Sequence, residues 1–144
     1  MIEFNCSCER KYHRAPLDGY EISSGAIEKI PNILKDYHRV YVVADRNTYR
    51  VAGERVESIL KAHNMHHTTR IIDREQPLPN AETLGEIVLH AHDHSALSDI
   101  FAYSPLPDII LAVGSGTIND SCRLAAYRLN LPFAVVGTAP SMDG

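Results

Sequence analysis

The chain has 144 residues, of which 44% are hydrophobic and 22% charged, and its formal net charge is −4 at pH 7. This length and composition are typical of one globular domain with one core, and they exclude disordered and fibrous classes. The 14 Lys and Arg residues are scattered and form no basic stripe, so we expect no nucleic-acid partner.

The amino-terminal segment and the cysteines indicate a cellular compartment. The segment MIEFNCSCERKYHR lacks the apolar stretch of a signal peptide, and the longest apolar runs are too short to cross a membrane. Cys6, Cys8 and Cys122 cannot all pair, which favours a reducing environment, and we expect a cytoplasmic protein without a membrane partner. Cys6 and Cys8 with His13 do not complete a four-ligand zinc site, so ordinary loop thiols are the favoured interpretation.

The predicted elements alternate between strands and helices. Short apolar runs predict strands at residues 40–44, 109–113 and 133–136, with weaker candidates at 20–22 and 68–72. Helical spacing links four sets: Ile27, Ile30, Leu34 and Tyr37; Ala52, Val56, Ile59 and Leu60; Leu84, Ile87, Val88 and Ala91; and Ile118, Cys122, Ala125 and Leu129. Pro31 interrupts the first set, so we expect the main helix to begin there after a preliminary turn.

This alternation predicts one α/β domain over residues 1–144, with a mostly parallel sheet and right-handed crossovers. Ligands on such sheets bind beyond the carboxyl ends of the strands. Asp45, Gly114 and Gly137 each follow a strong predicted strand at that edge. A binding site is therefore expected around these three residues.

The strongest local motif is a glycine turn, Gly114-Ser115-Gly116-Thr117, between a buried strand and an amphipathic helix. We expect its glycines to permit positive φ angles and close approach of a ligand, while the first helix amides carry the positive end of the helix dipole. A diphosphate would suit both features. Asn119 takes the place of the third glycine of GxGxxG, so a plain strand-to-helix turn remains the alternative.

Two carboxylates near these strand ends have competing interpretations. Thr117 and Asp120 form a T-x-x-D pattern, which predicts that Asp120 takes part in a capping box and does not face a phosphate. Asp45 can accept hydrogen bonds from the ribose diol of NAD, or it can cap the next helix, as Asn47 can. Because Asp45 precedes the glycine turn, a dinucleotide-binding domain in its usual chain order is not expected.

Polar residues also collect in the final segment, residues 137–144, where Thr138, Ser141 and Asp143 follow the last predicted strand at the height of a binding loop. Because the sequence stops within this loop, we expect it to be cut from a longer protein.

A second polar cluster consists of His90, His92 and His94 around Asp93, but only His90 and His94 share a helix face. An exposed helix end without a metal is therefore the favoured interpretation of that cluster.

The stretch AVGSGTINDSCRLAAYRLNLPFAVVGTAPSMDG resembles the corresponding part of the glycerol-1-phosphate dehydrogenases, including their AraM-type bacterial members. These enzymes lie in the superfamily of iron-dependent alcohol dehydrogenases and dehydroquinate synthases. The resemblance extends upstream through VVADRNTYRVAG, with its ADxNT turn, and covers the 144 residues in the same order. It implies a Rossmann-like, mostly parallel sheet with flanking helices, the amino-terminal domain of the dehydroquinate synthase-like fold, without the carboxyl-terminal helical domain.

The resemblance also implies roles for individual residues. The diphosphate of NAD or NADP would bind at Gly114, Ser115, Gly116 and Thr117, with Asn119 and Asp120 adjacent. Asp45 would hold the adenosine ribose. Thr138 and Ser141 would supply further cofactor contacts. Asp143 would contact the polyol phosphate. The family's zinc or nickel ion lies on an Asp and two His of the carboxyl-terminal domain, so no metal ligand and no catalytic residue is expected within this chain.

The implied activity of the full-length enzyme is reversible, NAD(P)-dependent reduction of dihydroxyacetone phosphate to sn-glycerol 1-phosphate. Because a Lewis acid is needed to polarise the ketone, we expect residues 1–144 alone to be inactive. Asp45 suits an unphosphorylated ribose, whereas Arg46 could receive a 2′-phosphate, so the cofactor preference stays open. The alternatives are a glycerol or polyol dehydrogenase, a dehydroquinate synthase-like enzyme, and a non-catalytic metal-binding module. An uncovered apolar face would favour a homo-oligomer.

Overall fold

The computed structural model describes residues 2–5, 7–8, 12–15, 17–92 and 106–140. Two short strands, β1 (Ile2–Asn5) and β2 (Tyr12–Ala15), pair antiparallel in a hairpin. Four further strands form one parallel sheet: β3 (Arg39–Asp45), β4 (His66–Ile72), β5 (Ile109–Gly114) and β6 (Phe133–Gly137). Their order across the sheet is β4-β3-β5-β6, so β3 and β5 are the central strands.

The described helices are α1 (Ile30–Ile33), α2 (Arg46–Thr48), α3 (Glu54–Ala62), α4 (Ala81–His92) and α5 (Gly116–Leu129). A 3₁₀ turn, Ala26–Lys29, leads into α1, and a π-helical segment, Tyr49–Gly53, joins α2 to α3. No helix in the part of the chain that the structure describes is long and apolar enough to span a bilayer.

Alternation along the central strands divides the core into two layers. Val40 and Val42 of β3 pack on one face with residues of α1 and α3, whereas Tyr41 and Val43 pack on the other face with residues of α4 and α5. Because successive side chains of a strand point to opposite faces, an almost fully apolar strand is buried on both sides. The predicted parallel α/β architecture is therefore confirmed.

Three local differences separate the predicted elements from the observed ones. No strand forms at residues 20–22, where Tyr20 is 70% exposed and Ile22 is 87% exposed, so these apolar side chains have no sheet to pack against. The β1–β2 hairpin was not predicted, because its strands are only four residues long. Pro31 does lie in the first turn of α1 after a preliminary turn, but that helix ends after four residues.

Candidate functional site

Asp45, Gly114 and Gly137 lie in one row across three neighbouring strands. Ala44 pairs with Val113 and Gly114 pairs with Gly137, which puts Asp45 level with Gly114. Adjacent strands are about 4.8 Å apart, so the row extends over about 10 Å. Although the acid precedes the glycine turn along the chain, the strand order brings the two together, and the expected edge of the sheet is confirmed.

The first amides of α5 lie at this edge and have no acceptor within their own helix. Ser115 is the N-cap residue, and its side chain makes no capping hydrogen bond. The amide of Asn119 donates to the Ser115 carbonyl at 3.0 Å, whereas the preceding amides, from Gly116 to Ile118, have no acceptor within the helix. Because α5 is 14 residues long, the positive end of its dipole adds to the attraction of these amides for an anion.

The two glycines of the turn have roles other than the predicted one. Positive φ was expected, but among the described glycines only Gly25 has it, so that expectation is wrong. A Cβ atom on Gly114 would lie 2.5 Å from Cβ of Ile118, so the missing side chain lets α5 pack directly on β5. Beyond its own helix backbone and chain neighbours, a Cβ atom on Gly116 would meet no atom of the described residues within 4 Å. Gly114 therefore serves packing, and Gly116 leaves open space for a ligand.

The predicted capping box of Thr117 and Asp120 does not form. The helix begins at Gly116, two residues earlier than that pattern requires, so Thr117 lies inside the first turn and not at the N-cap. Asp120 accepts a hydrogen bond from Nη2 of Arg123 at 3.4 Å, one turn further along the exposed side of the helix. With this early start, the N-cap side chain of Ser115 accepts no hydrogen bond from the first amides of α5, which strengthens the case for an external anion.

Two more of the predicted site residues lie beside the glycine turn. Asn119 is only 2% exposed, so its side chain is buried beside the turn. The amide of Thr138 donates to the Gly114 carbonyl at 3.1 Å, which holds the loop after β6 against the turn. Ser141 and Asp143 lie outside the described residues, so their predicted contacts stay predictions.

Asp45 caps the helix that follows it, as one of its two interpretations predicted. Its Oδ1 accepts hydrogen bonds from the amides of Asn47 and Thr48, both at 2.8 Å. Oγ1 of Thr48 accepts in return from the Asp45 amide at 3.0 Å, which completes a capping box. These bonds use Oδ1 and not Oδ2, so capping leaves one carboxylate oxygen to accept a hydrogen bond from a ligand.

Sequence reasoning missed one acid at the same edge, Asp73, which directly follows β4 and forms an ion pair with Arg46. Beside this pair is a cleft of about 360 Å³ lined by Arg46, Tyr49, Arg50 and Ile71. The signal that singled out Asp45, an acid immediately after a predicted strand, applies equally to Asp73. It was overlooked because the strand before it was only a weak candidate.

The described residues do not fit a metal ion, since no group of three or more His, Cys, Asp or Glu side chains among them is placed to hold one. Of the possible ligands noted in the sequence, Cys6, Asp93 and His94 lie outside the described residues, and Cys8 is exposed. The described site thus offers donors for an anion and one carboxylate oxygen.

Sequence comparison relates most of the chain to a known family. Residues 21–144 match the profile of a family described as iron-containing alcohol dehydrogenase. Glycerol-1-phosphate dehydrogenase (NAD(P)+) from Halalkalibacterium halodurans is 34% identical to this chain over 145 aligned positions. The alignment covers 99% of this chain and 34% of that relative. The chain thus spans about a third of the length of the curated relatives it matches.

Solved structures share the fold. An alcohol dehydrogenase from Oenococcus oeni matches with a TM-score of 0.62 and 17% identity, over 80% of this chain and 33% of that one. The 2-epi-5-epi-valiolone synthase from Streptomyces hygroscopicus, solved with NAD+ and Zn²⁺ bound, matches with a TM-score of 0.52 and 21% identity, over 76% of this chain and 29% of that one. At such identities the likeness concerns the arrangement of sheet and helices.

Proposed function

This chain belongs to the iron-containing alcohol dehydrogenase family, and on that premise we propose that it is the dinucleotide-binding domain of a glycerol-1-phosphate dehydrogenase. The observation that carries the proposal is the uncapped first turn of α5, which lies level with Asp45 on the neighbouring strand. Curated relatives of that name, 28–34% identical to this chain, support the substrate class. The activity of the whole protein would be reduction of dihydroxyacetone phosphate to sn-glycerol 1-phosphate and its reverse.

Each described residue of the site would contribute a binding contact. The amides of Gly116 and Thr117 would donate hydrogen bonds to the cofactor diphosphate, which reaches them because Gly116 carries no side chain. Oδ2 of Asp45 would accept a hydrogen bond from the adenosine ribose. Asn119 and Thr138 flank the diphosphate position and would orient it. When bound, NAD or NADP supplies or accepts the hydride, and the chain's own residues fix the position of that cofactor.

The remaining parts of the proposal concern groups beyond the described residues. We place the zinc or nickel ion that the resemblance implies outside this part of the chain, so no catalytic step is assigned to the residues described. Ser141 as a cofactor contact, Asp143 as a substrate contact, a cytoplasmic location and a homo-oligomer stay predictions. Inactivity of residues 1–144 alone also stays a prediction, and it is tested by assaying dihydroxyacetone phosphate reduction with added zinc or nickel.

Substitution of Gly116 by Ala tests the site directly. The new Cβ atom clashes with no described residue outside its own helix turn, and Ala suits a helix better than Gly, so the free energy of unfolding should change by less than about 1 kcal/mol. The same methyl group would occupy the space that the diphosphate needs. We therefore expect affinity for NADH, measured by isothermal titration calorimetry, to fall by about tenfold or more.

Two other glycines serve as controls for this variant. Gly85 of α4 also has open space at its Cα, so Gly85→Ala should leave NADH affinity unchanged. Gly114→Ala places a methyl group 2.5 Å from Cβ of Ile118, so we expect it to lower the free energy of unfolding by about 1–3 kcal/mol. If Gly116→Ala binds NADH as tightly as the unchanged chain, the turn is not the diphosphate site and the proposal fails.

A further inference from the structure

The ion pair between Arg46 and Asp73 joins the ends of two neighbouring strands. Arg46 follows β3, Asp73 follows β4, and Asp45 pairs in register with Ile72, so all three lie at one height on the sheet edge. The two paired side chains are more than 60% exposed, so solvent screens their attraction and the pair adds little to stability. The pair therefore sets the position of the Arg46 side chain without contributing much to the stability of the fold.

A second arginine lies next to Arg46. Nη2 of Arg50 donates to Oδ1 of Asn47 at 2.8 Å, and Nε of Arg50 donates to the Arg46 carbonyl at 3.3 Å. Arg46 and Arg50 both line the cleft of about 360 Å³, together with Tyr49 and Ile71. The cleft thus begins at the residue after the proposed ribose-binding acid, where a 2′-substituent of that ribose would project.

The charges at this corner balance while Asp73 is present. The carboxylates of Asp45 and Asp73 carry two negative charges, and the guanidinium groups of Arg46 and Arg50 carry two positive charges, which sum to zero. A phosphate monoester brings nearly two further negative charges, and it would have to displace the Asp73 carboxylate from Arg46. An unphosphorylated ribose meets no such competition.

We propose that Asp73 is a positioning residue that sets the cofactor preference: it holds Arg46 away from a 2′-phosphate and so favours NAD over NADP. This inference rests on the proposed binding of a dinucleotide at the glycine turn. Without Asp73 the corner would carry one net positive charge, and Arg46 could form paired N–H···O bonds with the phosphate beside Arg50. The carboxylate of Asp73 acts through Arg46 and need not touch the cofactor.

The test is calorimetric titration of the unchanged chain and of Asp73→Asn with NADH and with NADPH. We expect Asp73→Asn to tighten NADPH binding by about three- to tenfold and to change NADH binding by less than about twofold. In the double variant Asp73→Asn with Arg46→Ala, this gain should disappear. The gain should also shrink with added salt, since it comes from exposed charges.

Glu82→Gln is the matched control, because Glu82 pairs with Arg74 and its replacement removes the same charge from the same part of the surface. It should leave the ratio of NADPH to NADH affinity unchanged. If Glu82→Gln shifts that ratio as much as Asp73→Asn, or if Asp73→Asn does not shift it, the role of Asp73 is refuted while dinucleotide binding stands. Failure of the unchanged chain to bind either cofactor would instead refute the proposed function.

Discussion

Asp45 caps α2 and is also the acid to which we assign the ribose contact. Its two oxygens differ in their surroundings, because Oδ1 accepts from two helix amides at 2.8 Å while capping leaves Oδ2 unused. Capping and ribose binding were alternatives in the sequence, but the geometry makes them compatible. A substitution at this position therefore has to separate the loss of the cap from the loss of the charge.

The pair of variants Asp45→Ala and Asp45→Asn makes that separation. Ala removes the cap and should lower the free energy of unfolding, measured in urea, by about 1 kcal/mol, whereas Asn is as good an N-cap as Asp and should change it little. Both should weaken NADH binding, since neither keeps a carboxylate for the ribose diol. Wild-type NADH affinity in Asp45→Asn would show that Asp45 is a cap and nothing more.

At the scale of secondary structure, α5 combines site and core. Its first turn is open to a ligand, whereas Ile118, Cys122 and Ala125 are fully buried against the sheet. Ser121 lies among these buried residues, and its hydroxyl has no hydrogen-bond partner within the part of the chain that the structure describes. A buried hydroxyl without a partner costs about 1–3 kcal/mol, so this helix carries a defect that a single substitution can remove.

Ser121→Ala should therefore raise the free energy of unfolding by about 0.5–1.5 kcal/mol, because it removes the unpaired hydroxyl and introduces a better helix former. Ser58 of α3 is the matched control, since its exposed hydroxyl donates to the Glu54 carbonyl at 2.8 Å. Ser58→Ala should change stability by no more than about 0.5 kcal/mol. A loss of stability in Ser121→Ala, measured in the same urea titration, would mean that the hydroxyl is bonded in solution.

The start of α5 also shows where sequence reasoning succeeds and where it stops. Continuous apolar runs identified β3, β5 and β6, and the meeting of parallel strand ends then located Asp45, Gly114 and Gly137 correctly. The local T-x-x-D pattern misplaced the helix start, because the observed start is set by packing of Ile118 on Gly114, a contact between two elements. The Arg46–Asp73 pair is likewise a contact between two elements, so no local pattern predicts it.

At the scale of the whole molecule, two ionisable groups are buried in the layer between the sheet and the pair α4 and α5. The Tyr41 hydroxyl donates to the Ile87 carbonyl at 3.2 Å, and the Cys122 side chain lies in the same apolar cluster. Burial raises the pKa of the Tyr41 hydroxyl and the pKa of the Cys122 thiol well above their ordinary values. Both groups are therefore neutral in the folded protein wherever it is stable.

These raised pKa values couple folding to alkaline pH. The folded state keeps protons that the unfolded chain releases near pH 8.5 from the thiol and near pH 10 from the phenol, so their stabilising contribution is complete below those values and lost above them. Each group should remove about 1.4 kcal/mol of stability per pH unit above its unfolded pKa. Urea titrations from pH 7 to 10.5 measure this slope. In Cys122→Ala the decline should begin near pH 10 instead of pH 8.5, and an unchanged onset would show that the buried thiol does not drive it.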